Sequence, residues 1–287
     1  MKSTILAIAI LACSFGAMAS TTASQSMDQF CADRSDLASV KDLTASSDNM
    51  MAFQNHGGIG GGGVCWWHSR MQRNALYLTI YNPAEPKPSN AEAAEIVAKI
   101  RAGKEIVVIP GYRNFAEFSY EHQAQVQREL EKWQKGEGIL KASWVIGLKG
   151  DSTVAASELK SMMDELYKYV AVDGNIAYEK LQIKGITAHA WLVVNMKKNS
   201  DGYDLQIIDS NFPSQTTVYR YTEGMTSFYH QYYGSFTPYL ERTGEMEKVA
   251  LTVLKKCNPD EYKARKKKAK ASDETETKVT NNENVGG

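Results

Sequence analysis

The chain has 287 residues, 43% hydrophobic and 23% charged, with only 7 prolines, which excludes a miniature disulfide scaffold, a fibrous repeat and a wholly disordered polypeptide. Lysine plus arginine equals aspartate plus glutamate at 33 each, so bulk charge draws the chain neither to nucleic acid nor to anionic lipid. No nucleic-acid partner is expected, and any polyanion would need a local patch.

The N-terminus reads as a secretory signal over residues 1–19. Lys2 precedes an apolar run, Ile5 to Leu11, and Ala17-Met18-Ala19 supplies a small-residue cleavage site. The run is too short to span a bilayer. Cleavage after Ala19 would start the mature chain at Ser20 in a secreted or periplasmic location. The alternative is a lipoprotein anchored at Cys13, because Ile10-Leu11-Ala12-Cys13 loosely resembles a lipobox. Either destination permits disulfides.

Residues 20–56 are rich in Ser, Thr and Asp, with Phe30, Leu37, Val40 and Leu43 as scattered anchors, and predict an irregular or partly helical entry segment. Residues 57–258 form the main domain. It opens on Gly57-Gly58-Ile59-Gly60-Gly61-Gly62-Gly63, after which Val64, Trp67, Met71, Ala75 and Leu78 recur at helical spacing and predict a helix over 65–81. Pro83, Pro86 and Pro88 form a stiff connector, and Ser89 or Asn90 caps a helix burying Ile96, Val97 and Ile100. A strand over Glu105 to Ile109, one long helix from Phe115 to Gly136, a strand near Leu140 to Leu148 and a helix from Val154 to Val170 follow.

The period then changes. Ile183 to Met196, Tyr203 to Asp209 and Thr216 to Tyr221 are rich in β-branched and aromatic residues and predict consecutive antiparallel strands. Met246 to Leu254 predicts a closing helix, and residues 259–287 a disordered charged tail in which the Lys263 to Lys270 cluster is solvated, with polyanion attraction as the minority view. Helices first and strands later give an α+β fold.

Three cysteines remain after the signal, an odd number for an oxidising compartment. Cys31 and Cys257 flank the domain and suit a disulfide staple. Cys65 is left over at the start of a helix, where unpaired amides and the axial dipole favour a thiolate. A free cysteine is ordinarily a small core hydrophobe, so its partners decide the matter. His189 opens one apolar strand and Asp209 ends the next, 20 residues on, with Asn199 to Gly202 turning between them. The glycine run formally contains G-x-G-x-x-G, but no strand precedes it and Val64-Cys65 stands where a P-loop needs Lys-Ser/Thr.

In the residues Gly63-Val64-Cys65-Trp66, His189-Ala190 and Asp209-Ser210-Asn211 the chain resembles the papain-like cysteine peptidase superfamily, over about residues 54 to 220. The resemblance implies a helix carrying the nucleophilic cysteine packed on an antiparallel sheet carrying His and Asp. It makes Cys65 the nucleophile, His189 the general base and then acid, and Asp209 or Asn211 the residue orienting the imidazole. Asp209 is favoured because it terminates the apolar strand. The family commonly places Gln six residues before the cysteine; here Ile59 stands there, with Gln54 eleven residues ahead as an auxiliary oxyanion candidate and Asn55 and His56 as weaker substitutes.

The implied activity is that of an exported cysteine peptidase or related thiol amide hydrolase, acting on a protein, peptide or cell-wall peptide without cofactor or metal. Transglutaminase or deamidase acyl transfer on the same triad, and an inactive binding domain, are the alternatives. Zinc held by Cys65, His68 and His189 is disfavoured, because neither paired cysteine motifs nor H-E-x-x-H occurs. His56, His122 and His230 read as surface or structural groups. Trp66, Trp67 and Trp191 read as core, although Trp66 could line a cleft.

Overall fold

A computed structural model describes residues 24–35, 37–139, 148–185, 187–240 and 245–267. The proposed signal, Cys13, and all but the last residue of the strand expected near Leu140 to Leu148 lie outside them. The entry segment is helical, with α1 (Met27–Ser35) and α2 (Leu37–Ala45) burying Phe30 and Val40. Helix α3 (Cys65–Leu78) ends three residues before the expected boundary, and the chain continues as β1 (Thr79–Asn82). β-Branched Thr79 and Ile80 favour the extended form there, and β1 gains a parallel partner in β2 (Val107–Pro110). Between them, α4 (Asn90–Ala102) starts with a capping box in which Ser89 accepts from the Glu92 amide and Glu92 answers to the Ser89 amide.

The helix expected from Phe115 to Gly136 is two helices, α5 (Phe115–Glu121) and α6 (Gln123–Trp133). They break at His122, whose ring is held by Tyr112 Oη at 3.0 Å and Asn90 at 3.3 Å. Wider helical turns follow over Gln134–Ile139. Helix α7 (Ala156–Tyr167) likewise runs on as wide turns over Lys168–Val172.

The C-terminal half is a six-stranded antiparallel sheet of β3 (Ala177–Gln182), β4 (Ala188–Lys198), β5 (Gly202–Asp209), β6 (Thr217–Thr222), β7 (Phe228–His230) and β8 (Gly234–Leu240), in the order β6-β5-β4-β3-β8-β7. Both faces are covered. Ala190, Leu192, Val194 and Ile208 pack with Met71 and Leu78 of α3, whereas Trp191, Val193, Leu205 and Ile207 pack under Leu159, Met163 and Leu166 of α7. That two-sided burial explains why β4 reads as an unbroken apolar run rather than an alternating one.

Helix α8 (Glu245–Cys257) returns to the helical layer, where Cys257 is bonded to Cys31 of α1 across 226 residues. Residues 259–267 are helical, against the expected disordered tail. Asn258 caps this turn by accepting from the Glu261 amide, and the Glu261–Arg265 ion pair supports it at i,i+4 spacing. No helix among the described residues is long and apolar enough to cross a membrane.

Candidate active site

Cys65 is the first residue of α3, half-exposed, and the free cysteine among the described residues. The glycine run before it is pinned rather than slack. Gly63 N–H donates to Gly57 O at 2.8 Å, closing the loop on itself. From the end of α6, the Gln134 side chain accepts from the Ile59 amide and donates to Gly63 O, both at 2.9 Å. At Gly63 the backbone has φ 83°, and a Cβ there would come within 2.7 Å of the Asn55 amide group, so only glycine fits.

Asn55 latches this loop to the sheet. Its Oδ1 accepts from the Val64 amide at 2.5 Å, its Nδ2 donates to Asn211 Oδ1 at 3.1 Å, and its own N–H donates to Ser210 O at 2.7 Å. One residue thus joins the turn before Cys65 to the turn after Asp209. Gln54, the auxiliary residue expected from sequence, is exposed and is not in this network. Ile59 is also exposed, at 46%.

The register pairs Trp191 with Asp209, which sets His189, two residues earlier on the same side of β4, diagonal to the carboxylate. His189 Nε2 and Asp209 Oδ1 are 2.6 Å apart, with both residues buried. The Cys65 side chain is near enough to the imidazole to act on its charge. Burial opposes charge on this ring, but the hydrogen bond to Asp209, the neighbouring Cys65 and the negative charges of both outweigh it, and His189 is pushed up to about 10. For Asp209, burial pushes upward and is overcome by the His189 bond and charge, so the carboxyl lies below its ordinary range. The Asn211 amide donates to Asp209 Oδ1 at 2.8 Å. Asn211 therefore supports the carboxylate instead of contacting the ring.

A comparison with protein-family models, curated proteins and solved structures finds no match. The site rests on its own chemistry.

Tyr233, between β7 and β8, carried no sequence signal because the short strand β7 was not legible. Its hydroxyl donates to Asp209 Oδ2 at 3.3 Å, and its ring lies 5.5 Å from that of His189. Burial, and then the Asp209 charge, raise its phenol well above the ordinary range, so it remains a donor. His230 stacks on Tyr233 at 4.4 Å, and Tyr232 and Phe212 continue the aromatic group outward. Tyr232 is 71% exposed, giving this side of the site an open aromatic shelf.

His68 is buried one turn into α3, and burial pulls it down to about 4. It is neutral and its Nε2 meets Phe53 O at 2.9 Å, which anchors the segment leading to Asn55. Among the described residues no group of three His, Cys, Asp or Glu side chains is arranged to hold a metal ion. Trp66 and Trp67 are buried, Trp66 beneath the Lys180 ammonium at 3.6 Å, and Trp191 donates to Glu179 at 2.8 Å inside the sheet. All three are core residues. The arrangement as a whole brings a thiol, an imidazole and a carboxylate together at the open end of a helix whose first amides have no side-chain cap.

Proposed function

We propose that the chain is a papain-like thiol amide hydrolase, most simply an exported cysteine peptidase. The observation that carries the reading is His189 hydrogen-bonded to Asp209 at 2.6 Å with the Cys65 side chain beside the same ring. In the proposed reaction the Cys65 thiolate attacks the amide carbonyl carbon, and the carbonyl electron pair moves to oxygen. The α3 amides stabilise that oxyanion. The His189 imidazolium gives its proton to the leaving nitrogen, the C–N bond breaks, and a thioester to Cys65 remains. His189, now neutral, takes a proton from water as the water oxygen attacks the thioester. Collapse expels Cys65 as thiolate and releases the acid, restoring the ion pair. Asp209 stays ionised throughout and holds the ring.

The aromatic shelf of Phe212, His230 and Tyr232 supports a substrate that offers an apolar or ring-bearing group beside the scissile bond. The test is to treat the purified oxidised chain with a peptidyl acyl-enzyme trap and map the modified residue. Labelling at Cys65 that disappears in His189→Ala is expected. A mature chain that is never labelled, or is labelled equally without His189, would overturn the reading.

A further inference from the structure

A second concavity, of about 740 Å3, lies along α3 away from the Cys65 end, and none of Cys65, His189 and Asp209 lines it. Its cationic side chains are Arg70 and Arg73 of α3, Arg101 and Lys104 at the end of α4, and Lys248 and Lys255 of α8. Glu137 is the carboxylate in the lining, and it is engaged with Arg70 at 2.6 Å. Behind the wall, Glu129 meets Arg101 at 2.7 Å. A chain with balanced total charge has thus gathered a pronounced local excess of one sign in a single hollow.

The cations are built in. Arg70 and Arg73 are 5% and 2% exposed, and they lie three residues apart on one helix face. Burial first, and then the Arg70 charge, lower Arg73 to about 10.

The wall is also cleared of competing negative ends. Carbonyls at the end of α4 would repel an anion. Two of them are taken up, since Asn74 Nδ2 donates to Ile100 O at 3.1 Å and Thr252 Oγ1 donates to Gly103 O at 2.9 Å.

We propose that this hollow is a binding site for a compact polyanion bearing phosphate or sulfate groups. Guanidinium forks match tetrahedral oxyanions in geometry as well as charge. The volume is that of a small-molecule site, roughly 300–1,000 Å3, and the lining comes from several elements around one open hollow rather than from a strip that would track an extended strand. Tyr262 of the terminal helix completes the rim, so an occupant ties α8 and that helix to α3. This function does not depend on Cys65 chemistry.

The experiment titrates tripolyphosphate and, separately, sucrose octasulfate into the oxidised mature chain by calorimetry and thermal unfolding, at an ionic strength fixed with sodium chloride. Saturable one-to-one binding and a concentration-dependent rise in Tm are expected for at least one probe, and the tighter one identifies the phosphate or sulfate source. Lys248→Glu/Lys255→Glu changes two exposed residues and should weaken binding by roughly tenfold or more. Should that double variant unfold, Lys104→Glu, also exposed, gives the same reading. Stabilisation no greater than that of sodium chloride alone, or affinity unchanged in a folded variant, would overturn the proposal.

Discussion

His189 and Asp209 are not strand partners: the register sets Asp209 opposite Trp191, and the 2.6 Å contact between Nε2 and Oδ1 runs diagonally across the two strands. The diagonal leaves Nδ1 of the ring for Cys65. It also makes the carboxylate, with its further donors from the Asn211 amide and Tyr233, the fixed end of the relay. Asp209→Ala should lower turnover by about 10²- to 10⁴-fold, whereas Asn211→Ala, which keeps the backbone amide, should lose less than about tenfold. Steady-state kinetics on one fluorogenic peptide compares them, and the opposite ranking would move the orienting role to Asn211.

The second prediction concerns pH. His189 is held up to about 10, so the imidazolium beside Cys65 persists through neutral pH and is lost only as pH rises toward that value. In the proposed reaction the leaving nitrogen takes the imidazolium proton, so kcat should hold through neutral pH and fall only as pH rises toward 10, and His189→Ala should lose this alkaline limb together with most of the turnover. The folding contribution of the pair has the same sense: it is complete below the unfolded histidine value near 6.5 and fades as pH approaches 10. A wild-type kcat that already falls on passing about pH 6.5, the ordinary imidazole value, would refute the raised imidazolium.

Asn55 supplies the third. Its three hydrogen bonds connect the Val64 amide with Ser210 and Asn211, so Asn55→Ala should loosen the two turns relative to each other. The expected signature is a fall in kcat of about 10- to 100-fold with a smaller change in KM, because misplacement by a fraction of an ångström acts on the reacting geometry. Gly63→Ala should be worse, since it meets the same side chain at φ 83°. Equal kcat in wild type and a folded Asn55→Ala protein would remove Asn55 from the positioning network.

Cys65, His189 and Asp209 were legible in the sequence because each sits at an element boundary with its own local mark: a glycine run, the head of an apolar strand, the tail of the next. Gln134 and Tyr233 were not, and Asn55 was read only as a weaker oxyanion candidate and not as a latch, because these roles come from side chains crossing between distant segments. Asn55 reaches 156 residues to Asn211, and Gln134 reaches 71 residues to Gly63. Hydrophobic period carries no information about such contacts. The same limit hid β3, whose Glu179 and Lys180 interrupt the apolar pattern yet are both buried. The stop of α3 at Leu78 was missed because Ile80 fits a helical face as well as a strand, and only the pairing with Val108 decides between them.

The Cys31–Cys257 bond gives a fourth prediction. It closes a loop of 226 residues and fastens α1 to α8 in the helical layer. In the chain-entropy account such a loop contributes up to roughly 5 kcal/mol, less whatever structure the unfolded chain retains. Cys31→Ser/Cys257→Ser should lower the denaturant midpoint without abolishing the Cys65–His189 contact, and the oxidised mature chain should titrate one thiol per molecule under native conditions. A linked peptide containing Cys65 in a non-reducing digest would contradict this.

The final prediction lies within the sheet. Glu179 is buried, its Oε2 accepts from Trp191 Nε1 at 2.8 Å, and its other oxygen has no hydrogen-bond partner among the described residues. Burial pushes the carboxyl up to about 7, only partly offset by the Trp191 bond. A carboxyl raised on folding binds its proton more tightly in the folded state. Its contribution is complete below the unfolded value near 4.5 and is lost as pH rises through about 7. Glu179→Gln keeps an acceptor for Trp191 and cannot ionise, so it should be more stable than wild type at pH 8, by an amount on the order of 3 kcal/mol, with the two converging near pH 4.5. Glu179→Leu removes the ionisation too but strands the Trp191 N–H, and should recover less of that gain. Urea unfolding of the three proteins at both pH values tests the assignment, and a Glu179→Gln difference that does not change with pH would show that Glu179 does not titrate on folding.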